Sequence, residues 1–465
     1  MTTPDAHAAR TPDPMRDAEP GMRTVDTSDN PRLPVLMEMV GALSRATEPE
    51  QVVRTFRDGI ARLHGPRAMM TISTRGVKPG EYRITRFLDD RDRAIIDSTD
   101  PWNRPGEQPV RRGGFFGHLI RIAYPELIHG LSVRDDPVVG DLIADYGCLM
   151  AIPLFDNGEP LNWVIFFKRE PEGFSVEELE DAILRSNLVG RTVQHVLMTQ
   201  QLREAHRRID QEVEQIAAIQ RALLPERMPD IPGASVEASY RVFEKAGGDL
   251  YDIAPLDGRG YEPRPDVDAS RADTWALLIA DASGHGPAAA VVMAMLHSIL
   301  RAYPDQPAGP AEVLNFANHH LCAKRIESSF VTAFLAFYEP ATRRLTYARA
   351  GHNPPLLKPL GEHRPSRRLD DVGGVPLGVL PDVRYDTAGL TLEPGQTLVM
   401  YTDGITEAMD RSGEMFGVDG VERAINECSG EADCVIRTVN AAVLAHADFA
   451  RPSDDQTILA MQITE

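Results

Sequence analysis

Residues 274–290 read TWALLIADASGHGPAAA, and the place of one charge in that stretch decides how the C-terminal half is read. WALLIA is an unbroken apolar run of strand length. The run after it, continuing as AAAVVMAMLHSILRA, has the composition of a helix over 287–302 with proline at its first position. Asp281 therefore stands where a buried strand passes through a glycine-bearing turn into a helix. A carboxylate there needs a use, as a turn residue, a cap or a ligand.

Further runs surround it. ASVEASYRVF, FVTAFLAFYE, RLTYARA, QTLVMYTD and QTILAMQI read as strands, and 310–326 and a region near 419–447 read as helices. Strands outnumber helices and tight turns join many of them, so an antiparallel α+β or layered sandwich is expected rather than a doubly wound parallel sheet. Other acids fall beside these runs: Asp249 and Asp252 in AGGDLYD, Asp403 before Gly404 in YTDG, and Asp454 and Asp455 before QTILAMQI. For any one of them a turn or cap is the commonest explanation. Four such places in one domain argue for a shared purpose. Carboxylates without histidine or cysteine company suit a hard cation, Mg²⁺ or Mn²⁺, and disfavour zinc. Two such ions bridged by a carboxylate lower the pKa of a shared water and stabilise in-line displacement at phosphorus, so the pattern points to phosphoester chemistry.

Bulk properties set limits. The chain has 465 residues, 42% of them hydrophobic, enough for two or three domains. A formal net charge of −20 opposes a general nucleic-acid role, because no basic face is evident. The four cysteines, Cys148, Cys322, Cys428 and Cys434, lack CxxC spacing and fit a reducing compartment. The polar N-terminus and the lack of a long apolar run predict a cytoplasmic protein that does not enter the membrane.

Residues 1–32, rich in Pro, Asp, Ala and Thr, read as a disordered tail. From 33 to 175, amphipathic helices (VLMEMVGALS, VVRTFRDGIARL) precede AMMTIS and a hairpin, CLMAIPLF and NWVIFFK, turned by DNG. Residues 176–224 read as a long helical linker that opens on a capping box, Ser175 with Glu178, and ends where Pro225, Pro229 and Pro232 cannot continue it. Leu202, Ile209, Ile216 and Leu223 recur at heptad spacing along it. That seam fits a homodimer through 176–224 or a helix packed on a neighbouring domain. Residues 225–465 form the last domain.

The succession AGGDLYD, DASGHGPAAA, AGHNPPLL, YTDGITEA and DDQTIL resembles the metal-dependent PPM (PP2C-type) protein phosphatases, in their bacterial SpoIIE/RsbU-like branch, over roughly 220–465. The resemblance implies an αββα sandwich and two Mn²⁺ or Mg²⁺ ions that hydrolyse phosphoserine or phosphothreonine. It makes Asp281 the bridging ligand beside the Ala282 carbonyl, gives Asp403 and Asp454 to one metal and Asp249 to the other, and leaves Asp252, Gly404 and Asp455 in support, with Asp455 exchanging roles with Asp454 if the register is off by one. Eukaryotic relatives carry a general-acid histidine where this chain has Ser283; His285 lies two places further on, as a turn-shaping residue or a displaced proton donor. His352 and Asn353 order a loop beside the site, and Arg241 and Lys245 are either phosphate contacts or solvated charges. The implied substrate is a phosphorylated STAS-type anti-sigma-factor antagonist.

Residues 33–197 resemble, in composition only, a GAF sensory domain of unknown signal. The domain order then suggests sensor, helical transmitter and phosphatase. Three rival readings stand beside it: a non-catalytic signalling scaffold with a phosphatase-like fold; a nucleotide cyclase, which GGDLYD resembles superficially but whose GGDEF signature it matches only in its first three residues; and a histidine kinase, which needs a phosphoacceptor such as His206 and an ATP-binding domain that does not follow.

Overall fold

The computed structural model describes residues 27, 29–65, 67–91, 93–97, 108–256, 272–304, 306–324 and 329–464. It divides within the longest helix, one unit ending at Ala205 and the second beginning at His206. Most of the expected N-terminal tail, 1–26 and 28, lies outside the described residues, and the first helix already starts at Arg32.

The first unit contains α1 (Arg32–Arg45), α2 (Pro49–His64), β1 (Ala68–Ser73), β2 (Glu81–Leu88), β3 (Ala94–Asp97), β4 (Arg111–Arg112), α3 (Gly114–Ile122), β5 (Glu126–His129), α4 (Gly140–Ile143), β6 (Cys148–Asp156), β7 (Glu159–Lys168) and the first part of α5 (Val176–Arg221). The strands form one antiparallel sheet in the order β3-β2-β1-β7-β6-β5. Alternate residues supply its two faces. Met70, Ile72, Ile165 and Phe167 pack with α3 and α4, whereas Met69, Met150, Val164 and Phe166 pack with α1, α2 and α5. Asn157 and Gly158, both at positive φ, close the β6–β7 hairpin as DNG chemistry predicts. The capping box is present: Ser175 Oγ accepts the Glu178 N–H and Glu178 Oε2 accepts the Ser175 N–H, both at 3.1 Å.

The second unit adds β8 (Ala234–Arg241), β9 (Asp249–Leu256), β10 (Thr274–Ala282), α6 (Pro287–Arg301), α7 (Pro310–Lys324), β11 (Val331–Glu339), β12 (Arg344–Ala350), β13 (Leu356–Lys358), β14 (Arg367–Arg368), β15 (Ala388–Thr391), β16 (Thr397–Tyr401), α8 (Asp403–Thr406), α9 (Gly417–Asn426), α10 (Ala432–His446) and β17 (Gln456–Ile463). Two five-stranded antiparallel sheets, β15-β12-β11-β10-β9 and β14-β13-β16-β17-β8, face each other. Between them lie Trp275, Leu277, Ile279, Phe334, Met400 and Leu459. The outer face of the first sheet carries α6 and α7, and that of the second carries α9 and α10. The unit is thus a four-layer αββα sandwich.

Three sequence expectations are corrected. Residues 249–256 form a full strand, β9, so Asp252 lies inside a strand and not at its end. The helical region near 419–447 is two helices, α9 and α10, because Gly430 at φ +100° breaks the chain between them. The heptad seam from Leu202 to Leu223 does not form one surface. Leu202 and Ile209 are exposed, but Ile216 packs beside Ala217, Ala246 and Ala290, and Leu223 packs on the core beneath α6. Among the described residues no helix is long and apolar enough to cross a membrane.

Candidate metal centre

Pairing register brings the first two acids together. β9 and β10 are antiparallel neighbours in which Asp249 stands directly opposite Asp281. Strand alternation puts Leu277 and Ile279, and Tyr251 and Ile253, into the core between the sheets. Asp281 and Asp249 follow on that same face, where the apolar core ends.

The second sheet supplies the rest. At the end of β16, Thr402 turns its hydroxyl inward and donates to Asp249 Oδ2 at 2.8 Å, and Thr457 on β17 donates to the same oxygen at 2.6 Å. Asp403 follows Thr402 as the first residue of α8, within hydrogen-bonding reach of Asp281. Asp454 and Asp455 directly precede β17. Asp454 Oδ1 accepts the Asp455 N–H at 2.8 Å. Asp455 is buried, its two oxygens accepting the N–H groups of Phe243 at 2.8 Å and Gly248 at 2.5 Å. Asp455 thereby fastens the loop that leads into Asp249, a positioning task that occupies its carboxylate. Gly404 is required by space: a Cβ there would collide with the Asp455 carbonyl oxygen. A Cβ on Gly248 would sit 2.9 Å from the Ala282 carbonyl oxygen.

Electrostatics set this cluster apart. Burial, followed by the charges of Asp249, Asp403, Asp454 and Asp455, pushes the Asp281 carboxyl far above the usual carboxylate range. Burial also raises Asp249, against the opposing pull of the Thr457 and Thr402 hydroxyls. Asp403 is pushed up to about 6 by burial and by Glu407 and Asp454. The charges that weigh most on Asp281 are all negative. Such a gathering resists ionisation unless positive charge arrives from outside the chain. Its donors are all oxygens, four carboxylates and backbone carbonyls, which is the ligand chemistry of Mg²⁺ or Mn²⁺. Among the described residues no three His, Cys, Asp or Glu side chains close on a single point. The donor set fits a hard cation.

Asp252 does not belong to the cluster. One residue out of phase with Asp249, it faces the helical layer and pairs with Arg301 of α6 at 2.7 Å, beneath His297. His285 is half exposed, its ring edge-on to Phe243 at 5.2 Å and 3.8 Å from Glu244, on the DASGHG turn. His352 is buried and shares a 2.8 Å hydrogen bond with Thr332, the residue opposite Asp281 on β11; burial holds its imidazole neutral, its pKa lowered to about 3. Asn353 donates to Thr406 of α8 at 3.3 Å, so the AGHN loop ties β12 to the Asp403 turn. Arg241 is exposed at the end of β8, opposite Gln456. Lys245 is engaged with Asp210 at 2.9 Å.

Sequence reasoning missed the threonines that hold Asp249, although Thr402 sits in YTDG and Thr457 in DDQT. It also missed the role of Gln220, a polar position within the heptad seam. That buried side chain in the last turn of α5 donates to the Gly247 carbonyl at 2.7 Å and accepts the Gly247 N–H at 2.9 Å, and its amide lies 3.3 Å from the Asp249 carbonyl. Gln220 grips both sides of the Gly-Gly-Asp turn. Replacing it with Ala should weaken Mn²⁺ binding by roughly 10–100-fold, the usual effect of losing a residue that orients a ligand, as read by titration of the metal-free protein.

Residues 271–464 match the family model described as Stage II sporulation protein E (SpoIIE), less than half of the chain. The match lies within the second unit. Among curated proteins, the chain is 26% identical over 266 residues to the phosphoserine phosphatase RsbU of Bacillus subtilis, covering 57% of this chain and 73% of RsbU. It is 22% identical over 292 residues to protein IcfG of Synechocystis, covering 57% of this chain and 43% of IcfG. The chain therefore spans less than half the length of IcfG. Among solved structures, the SiaA-PP2C domain of Pseudomonas aeruginosa aligns at 18% identity and a TM-score of 0.45, over 56% of this chain and 98% of that one.

Proposed function

We propose that this chain is a sensor-regulated, metal-dependent protein serine/threonine phosphatase. One observation supports the reading: Asp249 and Asp281 on one sheet, and Asp403 and Asp454 next to strands of the other, gather where the charges bearing on Asp281 are negative. Asp281 would be shared between two ions, with Asp249 on one side and Asp403 and Asp454 on the other, and the Ala282 carbonyl beside them. When bound, a pair of Mn²⁺ or Mg²⁺ ions lowers the pKa of a water and stabilises the charge that develops at phosphorus. The chain's own residues orient this set. Thr402 and Thr457 fix the Asp249 carboxylate, Asp455 pins the preceding loop, and the Gly404 contact seats Asp403 against β17. Exposed Arg241 is a candidate for meeting a substrate phosphate, a task that suits a guanidinium.

Phosphoserine on a protein is the substrate class supported by the similarity to RsbU, itself named a phosphoserine phosphatase. A STAS-type antagonist of an anti-sigma factor is the finer substrate proposal, and it rests on the family resemblance. For the first unit we infer a GAF-like sensory role; its antiparallel sheet with helices on both faces supports this. Phosphate release from a phosphoserine peptide, measured with Mn²⁺, Mg²⁺ or EDTA, tests the proposal. Turnover should require the metal and disappear in Asp403→Asn. Turnover that persists in EDTA, or in that variant, would refute it.

A further inference from the structure

The first unit carries a cleft of about 280 Å³ where α2, strand β7 and the opening turns of α5 meet. α5 contributes Glu178, Asp181, Ala182, Arg185 and Ser186, whose alternating steps of three and one put them on one helix face. Phe56 and Ile60 of α2 and Phe166 of β7 form an apolar wall, and Arg67, the residue before β1, closes one side. An adjoining hollow shares Phe56, Ile60, Arg67 and Phe166 and extends the apolar wall to Ala61 and Met69.

Two donors lining this cleft are buried yet unused. Ser186 is 3% exposed and the Arg67 side chain 7% exposed, and among the described residues neither Ser186 Oγ nor Arg67 Nε has a hydrogen-bond partner. Buried donors in folded proteins almost always have an acceptor, so two orphans in one cleft point to an acceptor supplied by a ligand. Arg67 is also held in place, its guanidinium carbon 5.7 Å from the centre of the Phe166 ring and 5.5 Å from that of Phe174.

Charge gives the sign of the ligand. Arg67 and Lys168 lie 3.8 and 3.5 Å from Glu178, and Arg32 and Arg185 both pair with Asp181, so four cations share two carboxylates. His64, on the same cleft, has its pKa lowered by burial and then by Arg67, Arg185 and Arg32, with only Glu178 opposing them. The adjoining hollow adds one charge of each sign, Arg57 and Asp90, and Asp90 is bound by Arg169 at 2.8 Å. The local surplus is positive in a chain whose net charge is −20. Buried donors in a positive field beside an apolar wall suit an anion with an apolar body. We infer that this cleft binds a small organic monocarboxylate, its oxygens accepting from Arg67 Nε and Ser186 Oγ and its hydrocarbon part lying against Phe56, Ile60 and Phe166. A carboxylate matches the planar fork of a guanidinium. Occupancy ties the opening turns of α5 to α2. The site gives the sensory reading of the first unit a ligand class, and it does not depend on the phosphatase reading.

Isothermal titration of benzoate into the full chain tests the inference, with EDTA present so that the acid cluster holds no ion to attract an anion. Benzoate should bind saturably, one per chain, at millimolar concentration. Benzamide has the same shape without the charge, and inorganic phosphate has charge without the apolar body; each should bind at least ~10-fold more weakly. Ser186→Ala should weaken benzoate binding by roughly 10-fold without lowering the melting temperature of the ligand-free chain, because the hydroxyl it removes has no partner to lose. Arg67→Lys, which keeps the charge and deletes Nε, should weaken binding by at least ~10-fold. No saturable benzoate binding, benzamide or phosphate bound as tightly as benzoate, or a benzoate affinity indifferent to both substitutions would overturn the inference.

Discussion

Asp281→Asn should make the metal-free protein more stable and the metal-loaded protein inactive. At neutral pH the unfolded chain ionises its aspartates freely, whereas the fold holds Asp281 among four other acids and buries it, raising its pKa. A carboxyl whose folded pKa is raised loses stability as pH climbs above its unfolded value, so at pH 7 this acid is a cost to the fold. An amide is uncharged and can donate to the Asp403 carboxylate. The melting temperature of the metal-free variant should rise, by roughly 2–4 °C for each kcal/mol of repulsion relieved in a domain of this size. Without the shared carboxylate, Mn²⁺ should no longer raise that temperature, and kcat/KM for a phosphoserine peptide should fall by at least ~10³-fold, about 4 kcal/mol. Thermal scans with and without Mn²⁺ separate the two effects. A variant less stable than wild type without metal, yet still stabilised by it, would show that Asp281 is an ordinary buried acid.

Gly404→Ala should be nearly as damaging, for a steric reason. The added methyl meets the backbone of Asp455 rather than a movable side chain, so α8 or the start of β17 must shift. Overpacking of this kind costs about 1–3 kcal/mol. The displaced residues are Asp403 on one side and Asp454 and Asp455 on the other, and a misplacement of the order of 1 Å costs roughly 10²-fold in rate. The expected variant is folded, less stable than wild type and about a hundredfold slower. Gly309, with open space around it and no left-handed backbone, should accept alanine without loss of turnover.

The contrast between these sites and the rest of the chain explains what sequence could reveal. The acids were legible because each stands at the edge of an apolar run, Asp249 and Asp403 directly beside a glycine. The DNG hairpin and the Ser175–Glu178 cap were legible because their chemistry is local. Asp252 misled because it lies three residues from Asp249 in the same motif, and strand phase, invisible until 249–256 is known to be extended, sends it to Arg301. Thr402, Thr457 and Gln220 were hidden because their roles lie in contacts spanning 153, 208 and 27 residues. The heptad seam was seen correctly as a pattern, but its later members belong to a different surface from its earlier ones, which only burial reveals.

The central claim is that the acid cluster is a divalent-metal centre, and direct titration of Mn²⁺ into the metal-free chain tests it without reference to substrate. The account predicts saturable binding of two ions per chain, with the shared site lost in Asp281→Asn. Absence of saturable binding, or binding that Asp281→Asn leaves unchanged, would contradict it.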